Sequence, residues 1–331
     1  MFVKKTIDFQ HLVLLNEWIA DLHAEMINDC LAKWNIPANE VDLIASHGQT
    51  VLHAPKFLHQ QEKFPNATLQ IGDGDHIAVK TGIITLSDFR QKHIAAGGEG
   101  APLAVYGDYF LFGKEGENRI MLNIGGIANF TYLPSGLNVA EVFSTDVGTG
   151  NTLMDAYTRK YFDGLAYDKD GVIAKSGKIN EALLQSLKSD SFFKVAFPKT
   201  IGPELFNLEY LIQAQMALGA MLSHEDVLAT LNMFTAQTIS EAIKNVVGDQ
   251  FTYTMYISGG GMHNRLLMEH LQQLLPSITI KSSMEIGILP DAKEAILFAL
   301  LGNEAVAGKP LLAGGNATKV ATTMGKISFP N

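Results

Sequence analysis

Three glycine-rich loops, each at the end of a predicted strand, constrain this chain more than any other feature. The first, Asn123-Ile124-Gly125-Gly126-Ile127-Ala128-Asn129, joins predicted strands at 119–124 and 129–133. The second, Asp146-Val147-Gly148-Thr149-Gly150-Asn151, leads from a predicted strand at 139–145 into a helix marked by Leu153, Met154, Ala156, Tyr157 and Tyr161. The third, Ser258-Gly259-Gly260-Gly261-Met262-His263-Asn264, follows a predicted strand at 253–257 and opens a helix over 264–275. Glycine lets the backbone come close to a ligand, and the N–H groups of a helix start favour an anion. One such loop is ordinary turn chemistry, but three read as the walls of a nucleotide cleft. No G-x-x-x-x-G-K-[ST] pattern occurs, and Gly259-Gly260-Gly261 lacks the third glycine of G-x-G-x-x-G. A P-loop or dinucleotide fold is therefore disfavoured.

A carboxylate opens the second loop. Bare Asp146 would repel phosphate, so it makes more sense if it faces the group that attacks the phosphate or a neighbouring carbon. The alternative is a plain strand–turn–helix corner in which Asp146 caps the helix.

Composition narrows the class. A length of 331 residues suggests two domains, and 47% apolar content is ample for their cores. A net charge of -9 argues against a general nucleic-acid or membrane-surface binder, which needs a basic face. Cys30 is the only cysteine, so no intrachain disulfide forms and a reducing, cytoplasmic compartment is expected. No apolar run approaches the length of a membrane-spanning helix.

Strand and helix patterns alternate in the manner of an α/β protein. An amphipathic helix is predicted over 8–34, with Leu12, Leu15, Ile19, Leu22, Met26 and Cys30 on one stripe. After Pro37, a buried strand at 41–46 leads to His47-Gly48-Gln49-Thr50, and short strands follow at 68–71 and 83–87. The loop at 95–102 precedes a helix at 103–112, and the polar stretch 114–118 marks a boundary between domains 1–117 and 118–331. The second domain opens with a three-strand meander, and helices dominate 179–247. The first domain has no matching meander and leaves strand 41–46 unpaired on one side, which suggests a segment missing ahead of Met1. Asp73-Gly74-Asp75-His76 is too crowded for a metal loop and reads as a turn.

With these motifs assembled, the chain resembles the anhydro-N-acetylmuramic acid kinase family. The resemblance rests on the three loops above, with Leu153-Met154-Asp155-Ala156 after the second. It also rests on His47-Gly48-Gln49-Thr50-Val51, Leu69-Gln70-Ile71-Gly72-Asp73, Ser87-Asp88-Phe89-Arg90, the 95–103 segment and Asp291-Ala292-Lys293-Glu294-Ala295. It implies the sugar kinase, Hsp70 and actin superfold: α/β, with two ribonuclease-H-like domains around an ATP cleft. The first domain would be N-terminally incomplete, and the C-terminal helix would pack back on it. The family's opening Gly-Thr-Ser-x-Asp-Gly loop, which handles phosphates and metal, has no counterpart in this sequence. Gly148-Thr149-Gly150 stands where Gly-Pro-Gly is usual, and Lys199-Thr200-Ile201-Gly202 where Lys-Ser-Thr-Gly is usual.

The resemblance also implies chemistry. The substrates would be 1,6-anhydro-N-acetylmuramic acid, water and ATP with Mg2+, and the products N-acetylmuramic acid 6-phosphate and ADP, as in peptidoglycan recycling. Asp146 would be the general base. Arg90, Glu294 and His47 would hold the sugar. Gly125, Gly126, Gly148, Gly150, Asn151, Gly259, Gly260, Gly261 and Asn264 would hold the nucleotide. The metal ligands stay unassigned, and a homodimer is a candidate assembly. Taken as bare residues, Glu294 could instead serve the helix dipole, Arg90 a surface ion pair and His47 a structural hydrogen bond. A chain without the phosphate loop is expected to be nearly inactive as a kinase and to bind ATP weakly. Alternatives are a silent relative that binds sugar or nucleotide, and an Hsp70- or actin-like ATPase.

Overall fold

The computed structural model describes residues 7–100, 103–201, 205–216, 218, 221–247, 252–287, 292–308 and 322–331. In chain order the first elements are α1 (Phe9–Trp34), β1 (Ile44–Ser46), β2 (Gln49–Ala54), α2 (Lys56–His59), β3 (Ala67–Ile71), α3 (Gly74–Thr81), β4 (Thr85–Ser87), α4 (Gln91–Ala95) and α5 (Ala104–Phe112). Then come β5 (Asn118–Ile124), β6 (Ile127–Leu133), β7 (Phe143–Thr149), α6 (Thr152–Tyr161), α7 (Val172–Ser176), α8 (Glu181–Lys188), α9 (Leu208–Met216) and α10 (His224–Val247). The chain continues with β8 (Tyr253–Ser258), α11 (Arg265–Leu274), β9 (Ile278–Ser282), α12 (Lys293–Ala307) and β10 (Lys326–Ser328).

The chain divides into two compact units. One is Phe112–Asp291, and the other combines Met1–Leu111 with Ala292–Asn331. The chain thus changes unit at 111/112 where 117/118 was expected, and residues 292–331, expected in the second domain, belong to the first unit. The reason lies in α12. Leu297, Phe298 and Leu301 are buried, and Gly302 lies so near β1 that an added Cβ would come within 3.1 Å of Ala45 Cβ. Lys293 Nζ also meets the buried carboxylate of Asp108 at 2.7 Å.

The second unit is built on a five-stranded sheet of order β7-β6-β5-β8-β9. β5, β6 and β7 form an antiparallel meander, and β8 and β9 run parallel to β5. This is the ribonuclease-H-like arrangement expected for this half. Central β5 is buried over residues 119–122 and at Ile124, because both its faces are covered. Ile120, Leu122 and Ile124 pack with Met255 and Ile257 of β8, Ile239 and Ile243 of α10, and Leu267 and Leu271 of α11.

One boundary in this unit shifts. The strand expected at 139–145 begins at Phe143 and runs to Thr149, because Asn138 caps a short 3-10 turn over Val139–Glu141. Asp146 therefore lies inside β7, opposite Asn129 of β6 and beside a register shift.

In the first unit, β1 pairs in parallel with β4, and β10 adds to the other side of β4 in antiparallel sense. Among the described residues β1 has a partner on one side only. β2, for which the sequence predicted no element, forms a separate two-stranded sheet with β3. Helix α1 begins after Asp8, whose side chain accepts the His11 N–H at 2.7 Å, and ends at Asn35 in the left-handed conformation. Its buried line is rotated from the predicted stripe: Ala20 and Ala24 are fully buried, while Leu22 and Met26 are exposed. α1 packs on α3 and β3 through the small residues, which lets the backbones come close. Asp73 caps α3, accepting the Asp75 N–H at 2.8 Å.

Candidate active site

In the second unit the glycine loops sit at the carboxyl ends of parallel strands β5 and β8, where open α/β sheets bind ligands. Gly125-Gly126 is the two-residue turn between β5 and β6. Its carbonyls accept N–H groups from the next loop: Gly150 N–H to Gly126 O at 2.8 Å, Asn151 N–H to Gly125 O at 2.8 Å, and Thr152 N–H to Gly126 O at 3.2 Å. Of the N–H groups at the α6 start, those of Asn151 and Thr152 thus go to this turn. Asp146 is not its cap. That position is Asn151, whose Nδ2 donates to Ile124 O at 3.3 Å.

The contact between loops requires glycine at two positions above all. Gly259 has φ +86°, and a Cβ there would lie 2.6 Å from Ile124 O. A Cβ on Gly150 would lie 2.3 Å from Gly125 O. Gly126, Gly148 and Gly261 are likewise close-packed, against Thr152, Thr238 and Ile124 respectively. Gly260 is different: it is exposed, and its nearest neighbour, Asn151 Nδ2, is 3.7 Å from where a Cβ would sit.

Gly260, Asn151 and Asn264 line a cavity of about 510 Å³ together with Asp155, Tyr167 and Asp170. Asn264 also caps α11, accepting the Leu267 N–H at 3.1 Å. Asp155, Tyr167 and Asp170 were not anticipated as site residues. The pattern Leu153-Met154-Asp155-Ala156 was legible as a motif, but nothing in it said that Asp155 leaves the helix toward a cavity. Burial pushes the Asp155 carboxyl above its ordinary pKa. The cavity volume suits a nucleotide-sized ligand, but of the expected nucleotide-side residues only Asn151, Gly260 and Asn264 line it, while Gly125, Gly126, Gly148, Gly150, Gly259 and Gly261 do not. Among the described residues no group of three His, Cys, Asp or Glu side chains is gathered for a metal. Mg2+ carried on ATP phosphates needs only one or two protein carboxylates, so Asp155 fits that lesser demand.

Asp146 does not line this cavity. Its Oδ2 accepts the Ile201 N–H at 2.8 Å, and Oδ1 has no hydrogen-bond partner among the described residues. Burial pushes its pKa up, against the opposing effect of the Ile201 N–H. A half-buried carboxylate with one oxygen held and the other open is suited to taking a proton.

The first unit gathers the three expected sugar-side residues. His47 follows β1, Arg90 precedes α4, and Glu294 lies in the first turn of α12. Arg90 Nε donates to His47 Nε2 at 3.0 Å, and its Nη1 donates to Gly100 O at 2.7 Å. That geometry assigns the His47 proton to Nδ1, 3.2 Å from Gly48 O. Burial, then the charge of Arg90, lowers the His47 pKa, so the imidazole is neutral. Glu294 acts on both partners through space, raising the pKa of each against the effect of burial. Phe298 backs the group, with its ring centroid 4.8 Å from that of His47 and 5.2 Å from that of Phe89. Arg90 is bonded to His47 and not to a surface carboxylate, and His47 makes the structural hydrogen bonds weighed for it. His47 also lines a polar cavity of about 320 Å³ with Gln70, Asp73, Ser87, Asp88 and Lys326.

Comparison with known proteins adds to this geometry. The family profile for anhydro-N-acetylmuramic acid kinase matches residues 2–329. The anhydro-N-acetylmuramic acid kinase of Pseudoalteromonas atlantica (strain T6c / ATCC BAA-1087) is 54% identical, over 100% of this chain and 83% of its own length. That of Pseudoalteromonas translucida (strain TAC 125) is 52% identical over 99% of this chain and 83% of its own. The enzyme of Caldanaerobacter subterraneus subsp. tengcongensis is 35% identical over 95% of this chain and 81% of its own. With a profile spanning almost every residue and half of all positions shared with such relatives, this chain belongs to the anhydro-N-acetylmuramic acid kinase family.

Proposed function

We propose that this protein is an ATP-dependent kinase that hydrolytically opens 1,6-anhydro-N-acetylmuramic acid and phosphorylates O6, yielding N-acetylmuramic acid 6-phosphate and ADP. The observation that carries the reading is the Asp146 carboxylate. One oxygen is held by the Ile201 N–H, the other has no hydrogen-bond partner among the described residues, and burial raises its proton affinity. In this reading Asp146 takes a proton from a water as that water attacks the anomeric carbon. The bond from the anomeric carbon to O6 breaks, and O6 takes the γ-phosphoryl group. The step resembles an inverting glycosidase in which phosphoryl transfer replaces the acid on the leaving oxygen. The cavity lined by Asn151, Gly260 and Asn264 takes the nucleotide, and the protein's contribution to phosphoryl transfer is mainly position and charge. Mg2+ neutralises phosphate charge when bound, with Asp155 as the candidate carboxylate.

The sugar-side roles follow from bonding capacity. Arg90 spends Nε and Nη1 on protein, which leaves Nη2 for the substrate's lactyl carboxylate or acetal oxygens. Neutral His47 spends both ring nitrogens, on Arg90 and on Gly48 O, so its role is to orient Arg90, and Glu294 suits sugar hydroxyls. Among the described residues no helix is long and apolar enough to cross a membrane. A coupled assay following ADP and the 6-phosphosugar from ATP and the anhydro sugar tests the proposal. ATP hydrolysis that proceeds equally without the sugar would favour the Hsp70- or actin-like alternative and overturn it.

A further inference from the structure

We infer that Lys199 is a positioning residue for Asp146: its buried ammonium anchors a short strap, Lys199-Thr200-Ile201, whose backbone aims the Asp146 carboxylate. The inference rests on the reading of Asp146 as the base. The strap runs beside β7. Lys199 O accepts the Asp146 N–H at 2.9 Å, and Thr145 Oγ1 accepts the Lys199 N–H at 3.0 Å. The Thr145 hydroxyl also lies 3.2 Å from Lys199 O, so one side chain meets both polar groups of that residue's backbone. Two residues on, the Ile201 N–H reaches Asp146 Oδ2 at 2.8 Å. The strap therefore decides which carboxylate oxygen is held and which is open.

The anchor is a lysine in an apolar surround. Lys199 is 9% exposed, and its Nζ donates to Phe192 O at 2.8 Å. The ammonium lies 4.2 Å from the ring centroid of Phe192, 4.9 Å from that of Phe197 and 5.8 Å from that of Phe193. Burying an ammonium is costly, and ring faces offset only part of that cost. An apolar side chain of similar length would fill the space more cheaply if packing were its only task. What the ammonium adds is direction. It seeks one carbonyl, and so holds the strap in one register against β7. Burial pushes the Lys199 pKa down, consistent with this apolar surround.

Two variants of the full chain test the strap. Lys199→Met keeps the stem and removes the charge, and Thr145→Val removes the bridging hydroxyl at nearly constant shape. Each should lower kcat about tenfold while the KM values for sugar and ATP stay within about twofold, the pattern of a loss felt only in the transition state. The acid limb of the kcat–pH profile should move to higher pH, because a hydrogen bond that favoured the ionised carboxylate is weakened. The same upward movement should appear in the carboxyl carbon signal of Asp146, followed by NMR on aspartate-labelled protein and assigned with Asp146→Asn. That signal needs no turnover, so it separates the strap from the base assignment. If it moves up while Asp146→Asn remains fully active, the strap stands and the base reading falls. Should Lys199→Met fail to fold, Thr145→Val carries the test alone. An Asp146 signal that stays in place or moves to lower pH in the folded variants overturns the proposal.

Discussion

Asp146→Asn is the sharpest test of the chemistry. The amide keeps the carboxylate's shape, and its oxygen can still accept the Ile201 N–H that Oδ2 accepts at 2.8 Å. The strand should therefore be undisturbed, and what disappears is the open, basic oxygen. General base catalysis contributes roughly 100- to 10,000-fold, so turnover should fall at least about 100-fold, equivalent to about 2.7 kcal/mol of transition-state stabilisation. Nucleotide affinity should hold, because Asp146 is not among the residues lining the cavity with Gly260 and Asn264. Two pH effects accompany this. Burial raises the Asp146 pKa, so the parent enzyme should lose turnover on acidification at a higher pH than an ordinary aspartate would dictate. For stability the sign runs the other way from a salt-bridged carboxylate. The folded state holds this proton more tightly than the unfolded one, so ionised Asp146 disfavours folding above its folded pKa and has no effect below the ordinary aspartate range. Asp146→Asn should thus melt slightly higher than the parent at neutral pH and at the same temperature in acid. The assays are steady-state turnover with the anhydro sugar, ATP titration calorimetry and melting curves at both pH values. Retained turnover, or a collapse of ATP binding, would refute the reasoning.

Arg90→Ala and Glu294→Gln should weaken sugar binding roughly 10- to 150-fold, the range for losing a charged contact of about 1.5–3 kcal/mol, with ATP binding nearly intact by calorimetry. Loss of ATP binding with sugar binding preserved would mean that the two ligand sides are reversed. Gly259→Ala forces a Cβ to 2.6 Å from Ile124 O at φ +86°, and should cost about 2 kcal/mol or more, lowering the melting temperature by roughly 4–8 °C. Gly260→Ala meets nothing closer than 3.7 Å and should leave melting unchanged while reducing nucleotide affinity, so equal melting losses in the two variants would contradict the packing argument.

The sequence by itself determined the class of fold, the three glycine loops and the family. Strand period, helix stripe and turn chemistry are local properties, written in neighbouring residues, and β5, β6, β8 and α11 fall within a few residues of where they were expected. Asp146 stood out because a carboxylate opens a glycine loop, and Arg90 because Ser87-Asp88-Phe89-Arg90 carries part of the family resemblance. What only the tertiary structure decided is who meets whom. Nothing local says that Gly125 and Gly126 carbonyls take the N–H groups of Gly150, Asn151 and Thr152, or that α12 returns to β1 and brings Glu294 and Phe298 toward His47. Nor does the motif at Lys199 announce that its ammonium hides among three phenylalanine rings while its backbone holds Asp146. Apart from the ring contacts of Lys199, which are local, those pairings join residues from about two dozen to more than two hundred positions apart. They follow from burial and from the need to satisfy backbone polar groups once the chain has closed, and neither is a property of any short stretch of sequence.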